Sequence, residues 1–210
     1  MPVLLWSKLL DFLRVQWRQY KSTFYWLLVW LCAGIVIGII TLIISNIAVD
    51  DINYRLIDGN ILNATAINSS LGSFVWQRIL SLVIPVLVVL IFACLSRVTA
   101  LMVFPVVLMH GYWCAVAVWW TFFYYSLPAI LVLIFYILWL VVVTAVLLAG
   151  LLWALQCGEQ FRNSKNCDSN HRWANLFRGL AIISGVAVIL GFIEYLVFWT
   201  VLGKIVYKAR

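Results

Sequence analysis

Two residues in this 210-residue chain have the chemistry to move a proton or hold an ion from an apolar setting. They are Glu194, in the run Gly191-Phe192-Ile193-Glu194-Tyr195-Leu196, and His110, beside Gly111. A carboxylate a few residues from the middle of an apolar helix costs about 2.5–3.5 kcal/mol on insertion scales, so it must face protein or a water-filled cavity. One reading makes the two residues a proton relay or ion site. The other makes Glu194 a neutral group hydrogen-bonded inside a bundle, which removes the cost of a buried charge. The expectation carried forward is a buried polar contact between His110 and Glu194 that holds the last helix against the third.

The remaining candidates are weaker as chemistry. Cys32, Cys94, Cys114, Cys157 and Cys167 show no metal-ligand spacing, and the first three lie in or beside apolar stretches, where cysteine packs as a small hydrophobe. Cys157 and Cys167 with His171 lack a Cys-x2-Cys pair and a fourth ligand, so zinc is not expected. There is no Gly-rich phosphate loop, no Ser–His–Asp pattern in a plausible loop and no zinc-protease motif. The reading is therefore no catalytic residue, no metal, no cofactor and no enzyme. Gly34 and Gly38 have the small-xxx-small spacing that lets another helix approach closely, within the chain or from a second copy. Pro85 and Pro105 fall inside apolar stretches, where a proline frees a carbonyl and kinks a helix.

The elements that position these residues follow from composition. Hydrophobic residues make up 66% of the chain and charged ones 10%, against about half and about a quarter in soluble domains. Stretches of helix length that are apolar on every side have no place in an aqueous globule. The spans expected are Phe24–Ser45, Ile79–Leu95, Val98–Phe122, Pro128–Leu155 and Leu180–Leu202, each near or above the roughly 17–25 residues that cross hydrocarbon. The second is the shortest. Alternating strands are absent, and only helices then satisfy the backbone in lipid. The fold class is an all-α, polytopic transmembrane helix bundle of about five spans forming one membrane domain.

Lys8, Arg14, Arg18 and Lys21 precede the first span, and Asp50, Asp51 and Asp58 follow it, so the positive-inside bias places the amino terminus in the cytoplasm. Arg97, Arg162, Lys165, Arg172 and Arg178 then fall inside, while Arg55, Arg78 and the basic tail, residues 203–210, fall outside. The tail conflicts with the bias, and a re-entrant second segment would resolve the conflict. The net charge of +7 reflects this topology; nucleic acid is not a partner, since no soluble domain offers a basic face.

Three segments lie outside the lipid. Residues 1–23 place Leu5, Leu9, Phe12, Leu13, Gln16 and Tyr20 at helical spacing, an amphipathic helix at headgroup level on the cytoplasmic side, which anchors the first span or docks a partner or anionic lipid. Residues 46–78 carry Val49, Ile52, Leu56, Ile61, Leu62, Ile67, Leu71 and Phe74 among polar residues, with a turn at Asp58-Gly59. This reads as two short surface helices, either a connector or a partner-binding cap. The Asn63 and Asn68 sequons in it are read as chance triplets. Residues 156–178 form a cytoplasmic loop. The tryptophans and tyrosines gather near span ends, as an interfacial belt does.

The order of these parts resembles the stage II sporulation protein M family of bacterial membrane proteins. The likeness rests on the basic amino-terminal helix, the run Ala33-Gly34-Ile35-Val36-Ile37-Gly38, Pro105 followed by Gly111 in the third span, and Ile193-Glu194 in the last. Ser96 and Thr99 stand where that family tends to carry glycine, and the turn before span four offers only Ser126 and Pro128 in place of a polar or glycine-rich motif. The resemblance implies a non-catalytic scaffold of the bacterial inner membrane that binds envelope or membrane proteins, or a second copy of itself. The rival expectation is a transporter of a proton, ion or small solute along Pro85, Pro105, His110 and Glu194.

Overall fold

The computed structural model describes residues 2–45, 71–125, 130–163 and 169–197, and all of these but a short turn are helical. The helices are α1 (Pro2–Ser45), α2 (Leu71–Leu95), α3 (Val103–Tyr125), α4 (Ile130–Asn163) and α5 (Ser169–Glu194), with a 3-10 turn, Thr99–Met102, leading into α3. Within them, Lys21–Ile44, Phe74–Leu95, Ala100–Trp119, Ile134–Asn163 and Trp173–Val197 are long and apolar enough to cross a bilayer. The chain is a multi-pass, all-helical membrane protein. Several expected features lie outside the described residues: the short surface helices and sequons of residues 46–70, the turn at Ser126 and Pro128, Cys167, and the basic tail.

The helix boundaries differ from the sequence reading in an instructive way. The amphipathic segment and the first span form one continuous helix, Pro2–Ser45, of 44 residues, about 66 Å at 1.5 Å per residue. The second helix begins at Leu71, eight residues before Ile79, and its 25 residues reach about 37 Å. Its apolar window starts at Phe74, so Arg78, expected outside the membrane, stands within the span. α4 continues through Asn163, and α5 starts at Ser169. Most of the sequence 156–178 expected as a loop is therefore helical.

Close contacts set the packing. α1 runs parallel to α3: a Cβ on Gly38 would lie 2.9 Å from Ala115 Cβ, and one on Gly34 would collide with the Leu108 carbonyl. Gly111 presses reciprocally on the Leu31 carbonyl, so small residues on both helices let the backbones meet. α2 lies parallel to α4, with Val86 on Gly150 and Ala93 on Gly158. α5 returns antiparallel along both, with Gly179 under Trp153 of α4 and Gly191 against Val75 of α2. The upper end of the bundle is where α2 and α4 begin and α1, α3 and α5 finish; the lower end is the opposite one.

The interior is apolar through most of its depth. Leu27, Leu82, Val86, Val89, Val103, Val107, Val143, Leu147 and Leu151 are fully buried and form one continuous core. Large apolar side chains also cover the outside: Ile44, Val98 and Leu95 are 77%, 75% and 68% exposed. An outer surface of Ile, Val, Leu and Trp suits hydrocarbon and would be an aggregation hazard in water.

Candidate functional site

A buried ion pair lies at the upper end of the bundle. Arg78 of α2 donates from Nε and Nη2 to the two carboxylate oxygens of Glu194 on α5, a bidentate pair. Glu194 is 4% exposed and the Arg78 side chain 12%. The geometry follows from backbone direction. Gly191 meets Val75, and Arg78 and Glu194 each lie three residues further along, about 4.5 Å below and above that contact. Side chains lean toward the amino terminus of their own helix, so in this antiparallel pair the two lean toward each other. A Cβ on Gly191 would sit 2.7 Å from Val75 Cα, so glycine is what allows the helices to come within reach.

Aromatic residues enclose the pair. Phe74 and Tyr136 are buried together, with Ala117, Val118, Trp139, Leu140, Tyr195 and Val197 packed around them. Phe74 meets Tyr195 edge-on, with centroids 5.7 Å apart, and the helix widens to a π-turn over residues 195–197. Tyr136 lies within electrostatic reach of both Arg78 and Glu194. Trp139 Nε1, three residues further along α4, is buried without a hydrogen-bond partner among the described residues.

Below this group, His110 Nε2 lies 3.1 Å from Thr144 Oγ1 on α4 and 3.6 Å from Cys114 Sγ, one turn along its own helix. The structure does not bring His110 and Glu194 together: each takes a different partner. The reason is physical, since a guanidinium offers a carboxylate two charge-assisted bonds and an imidazole offers one. Arg78 is the residue that sequence reading missed. The signal available was its place at the edge of a short apolar run with Phe74, Val75 and Trp76 beyond it, in a chain whose last span holds an acid that needs a counter-charge.

At the lower end Arg162 of α4 reaches α2, where its Nη1 donates to the carbonyls of Ala93 and, at 3.2 Å, Ser96. Both carbonyls lie at or just beyond the carboxyl end of α2, where backbone acceptors turn to side-chain donors. Cys94 and Cys157 are free thiols beside this contact. Gly34 and Gly38 are both taken up by α3 inside the chain. Pro85 stands inside α2, while Pro105 falls in the first turn of α3.

Between the two polar ends, α2 and α4 are apolar. α4 carries no polar side chain from Ala145 through Leu155, so Thr144 and Gln156 are about 18 Å apart along the axis. α2 is equally apolar from Leu82 to Ala93. No protein-family model, curated protein or solved structure matches this chain.

Proposed function

We propose that this protein is a non-catalytic scaffold or subunit of a membrane complex, embedded in a bacterial inner membrane with its amino terminus in the cytoplasm. The observation that carries the reading is the Arg78–Glu194 pair. It pairs Arg78 of α2 with Glu194 of α5 rather than presenting them to a cargo. A transporter needs polar groups along a path, but α2 and α4 offer only Val, Leu, Ile, Pro, Phe, Ala, Gly and Trp between the upper cluster and the lower end. The rigidity of such a bundle suits a part that positions other proteins.

The basic residues Lys8, Arg14, Arg18 and Lys21 at the start of α1 support the orientation. The order of parts supports kinship with the stage II sporulation protein M family, and with it a role in envelope remodelling. The partner-binding parts on this reading are the basic amino-terminal segment and the polar segment between α1 and α2. Cross-linking in intact membranes followed by purification in mild detergent tests the proposal. It should recover a stoichiometric membrane or envelope protein, or a second copy, and a strictly monomeric, partnerless protein contradicts it.

A further inference from the structure

We propose that the outward face of α5, at the lower end of the bundle, holds one anionic phospholipid, with its phosphate on Arg178 and an acyl chain along Ile182, Gly185 and Ile189. The starting point is an unpaired charge in an apolar place. Sequence reading puts Arg178 in a loop, but it stands nine residues on from Ser169, where α5 begins, and within the stretch Trp173–Val197 that is long and apolar enough to cross a bilayer. It is exposed, and it has no ion-pair or hydrogen-bond partner among the described residues. An arginine facing hydrocarbon without a counter-charge is costly, so its head must reach the lipid headgroups. Side chains lean toward the amino terminus of their own helix, which for α5 is the lower end of the bundle. The guanidinium is therefore carried toward the membrane boundary while its stem stays in hydrocarbon. Trp173, exposed and five residues back, about 7.5 Å further down the axis, suits that boundary. A planar guanidinium there binds a phosphate through two parallel hydrogen bonds.

The face above Arg178 has room for a chain. Ile182, Gly185 and Ile189 follow it at spacings of four, seven and eleven residues, one face of a helix. Both isoleucines are exposed, and a Cβ on Gly185 would meet no atom within 4 Å. Glycine thus leaves an open notch between two apolar side chains, about 10.5 Å along the axis from the arginine. Charge decides the occupant. A second copy docked on this face about a two-fold axis would set the same patch against itself, with one Arg178 at the depth of the other. α5 has no acid to relieve that repulsion except Glu194, which is buried and bonded to Arg78. A zwitterionic lipid brings its own cation beside its phosphate, whereas an anionic lipid brings a charge free to be matched.

The test is native mass spectrometry of the full-length protein in mild detergent, supplied with equimolar dioleoyl phosphatidylglycerol and dioleoyl phosphatidylcholine. Wild-type protein should retain the phosphatidylglycerol in preference. Arg178→Gln should lower that preference about fivefold, the equivalent of about 1 kcal/mol for one basic residue at an anionic surface. Arg178→Lys should keep most of the preference, because it keeps the charge. Gly185→Leu fills the notch and should reduce retention of both lipids while leaving their ratio unchanged. The basic amino-terminal segment adds the same background to every variant. Equal retention of the two lipids by the wild type, an unchanged ratio in Arg178→Gln, or retention untouched by Gly185→Leu would overturn the proposal. Wild-type dimers that come apart in Gly185→Leu would also overturn it, by assigning the face to a second copy.

Discussion

Replacing Glu194 by glutamine keeps its shape and removes its charge, which leaves the Arg78 guanidinium, 12% exposed, with no counter-charge inside a span. Breaking a buried ion pair by removing one partner costs about 3–5 kcal/mol, and a lone arginine near the end of a span, where Arg78 stands, costs less than the roughly 2.5–3.5 kcal/mol of a mid-span position. The lower bound of the first range, about 3 kcal/mol, is the expected loss for Glu194→Gln. Arg78→Met fills the volume of the arginine stem and leaves a carboxyl that can go neutral by taking a proton, at a cost of about 1–3 kcal/mol. The double variant has no charge left to strand. Exchanging both members of a buried pair for uncharged residues is often close to neutral, so the double variant should be more stable than Glu194→Gln alone. With single losses of about 3 and about 1–3 kcal/mol and a near-neutral double variant, the coupling energy should be about 4–6 kcal/mol in magnitude, read by reversible unfolding in mixed detergent micelles as a double-mutant cycle. Losses that add within about 0.5 kcal/mol, as they do for residues that do not interact, would refute the pairing.

Three further outcomes follow from the same packing. Gly34→Ala and Gly111→Ala drive a methyl into the Leu108 and Leu31 carbonyls and should each destabilise by about 1–3 kcal/mol. Gly185→Ala meets no atom within 4 Å and should be neutral or stabilising by up to about 1 kcal/mol through helix propensity. Arg162→Ala removes the guanidinium that donates to the Ala93 and Ser96 carbonyls. It should cost about 1–3 kcal/mol and speed amide exchange at Ala100 and Leu101, whose N–H groups bond to Ser96 and Val98 in the adjoining turn. Pro105→Ala should change stability by less than Pro85→Ala, since only Pro85 interrupts the middle of a helix.

The spans were legible in the sequence because length and apolarity alone decide whether a helix lives in lipid. Their ends were less so. The second apolar run reads as short because Ser73, Gln77 and Arg78 interrupt it, and a local reading stops a span at a charge. The helix continues through Arg78 because Glu194 neutralises that charge from 116 residues away, a fact of tertiary packing that no window of sequence contains. The same distance effect hid the true neighbours of His110. Its depth and its need for a partner were readable, but Thr144 is an unremarkable residue until α3 and α4 lie side by side. Gly34 and Gly38 were readable as a close-approach pair, whereas Gly111 and Gly191 have their meaning only once Leu31 and Val75 face them. Pro105 illustrates the reverse: its residue type was plain, but its effect depends on whether α3 has already begun.

Proteoliposomes bearing an interior pH-sensitive dye, challenged with imposed proton and cation gradients, test the central claim most directly. A scaffold in which Arg78 and Glu194 hold each other and α2 and α4 are apolar between their ends predicts a leak equal to that of protein-free vesicles, unchanged by Glu194→Gln. Saturable flux through the wild-type protein that disappears in Glu194→Gln would contradict the account.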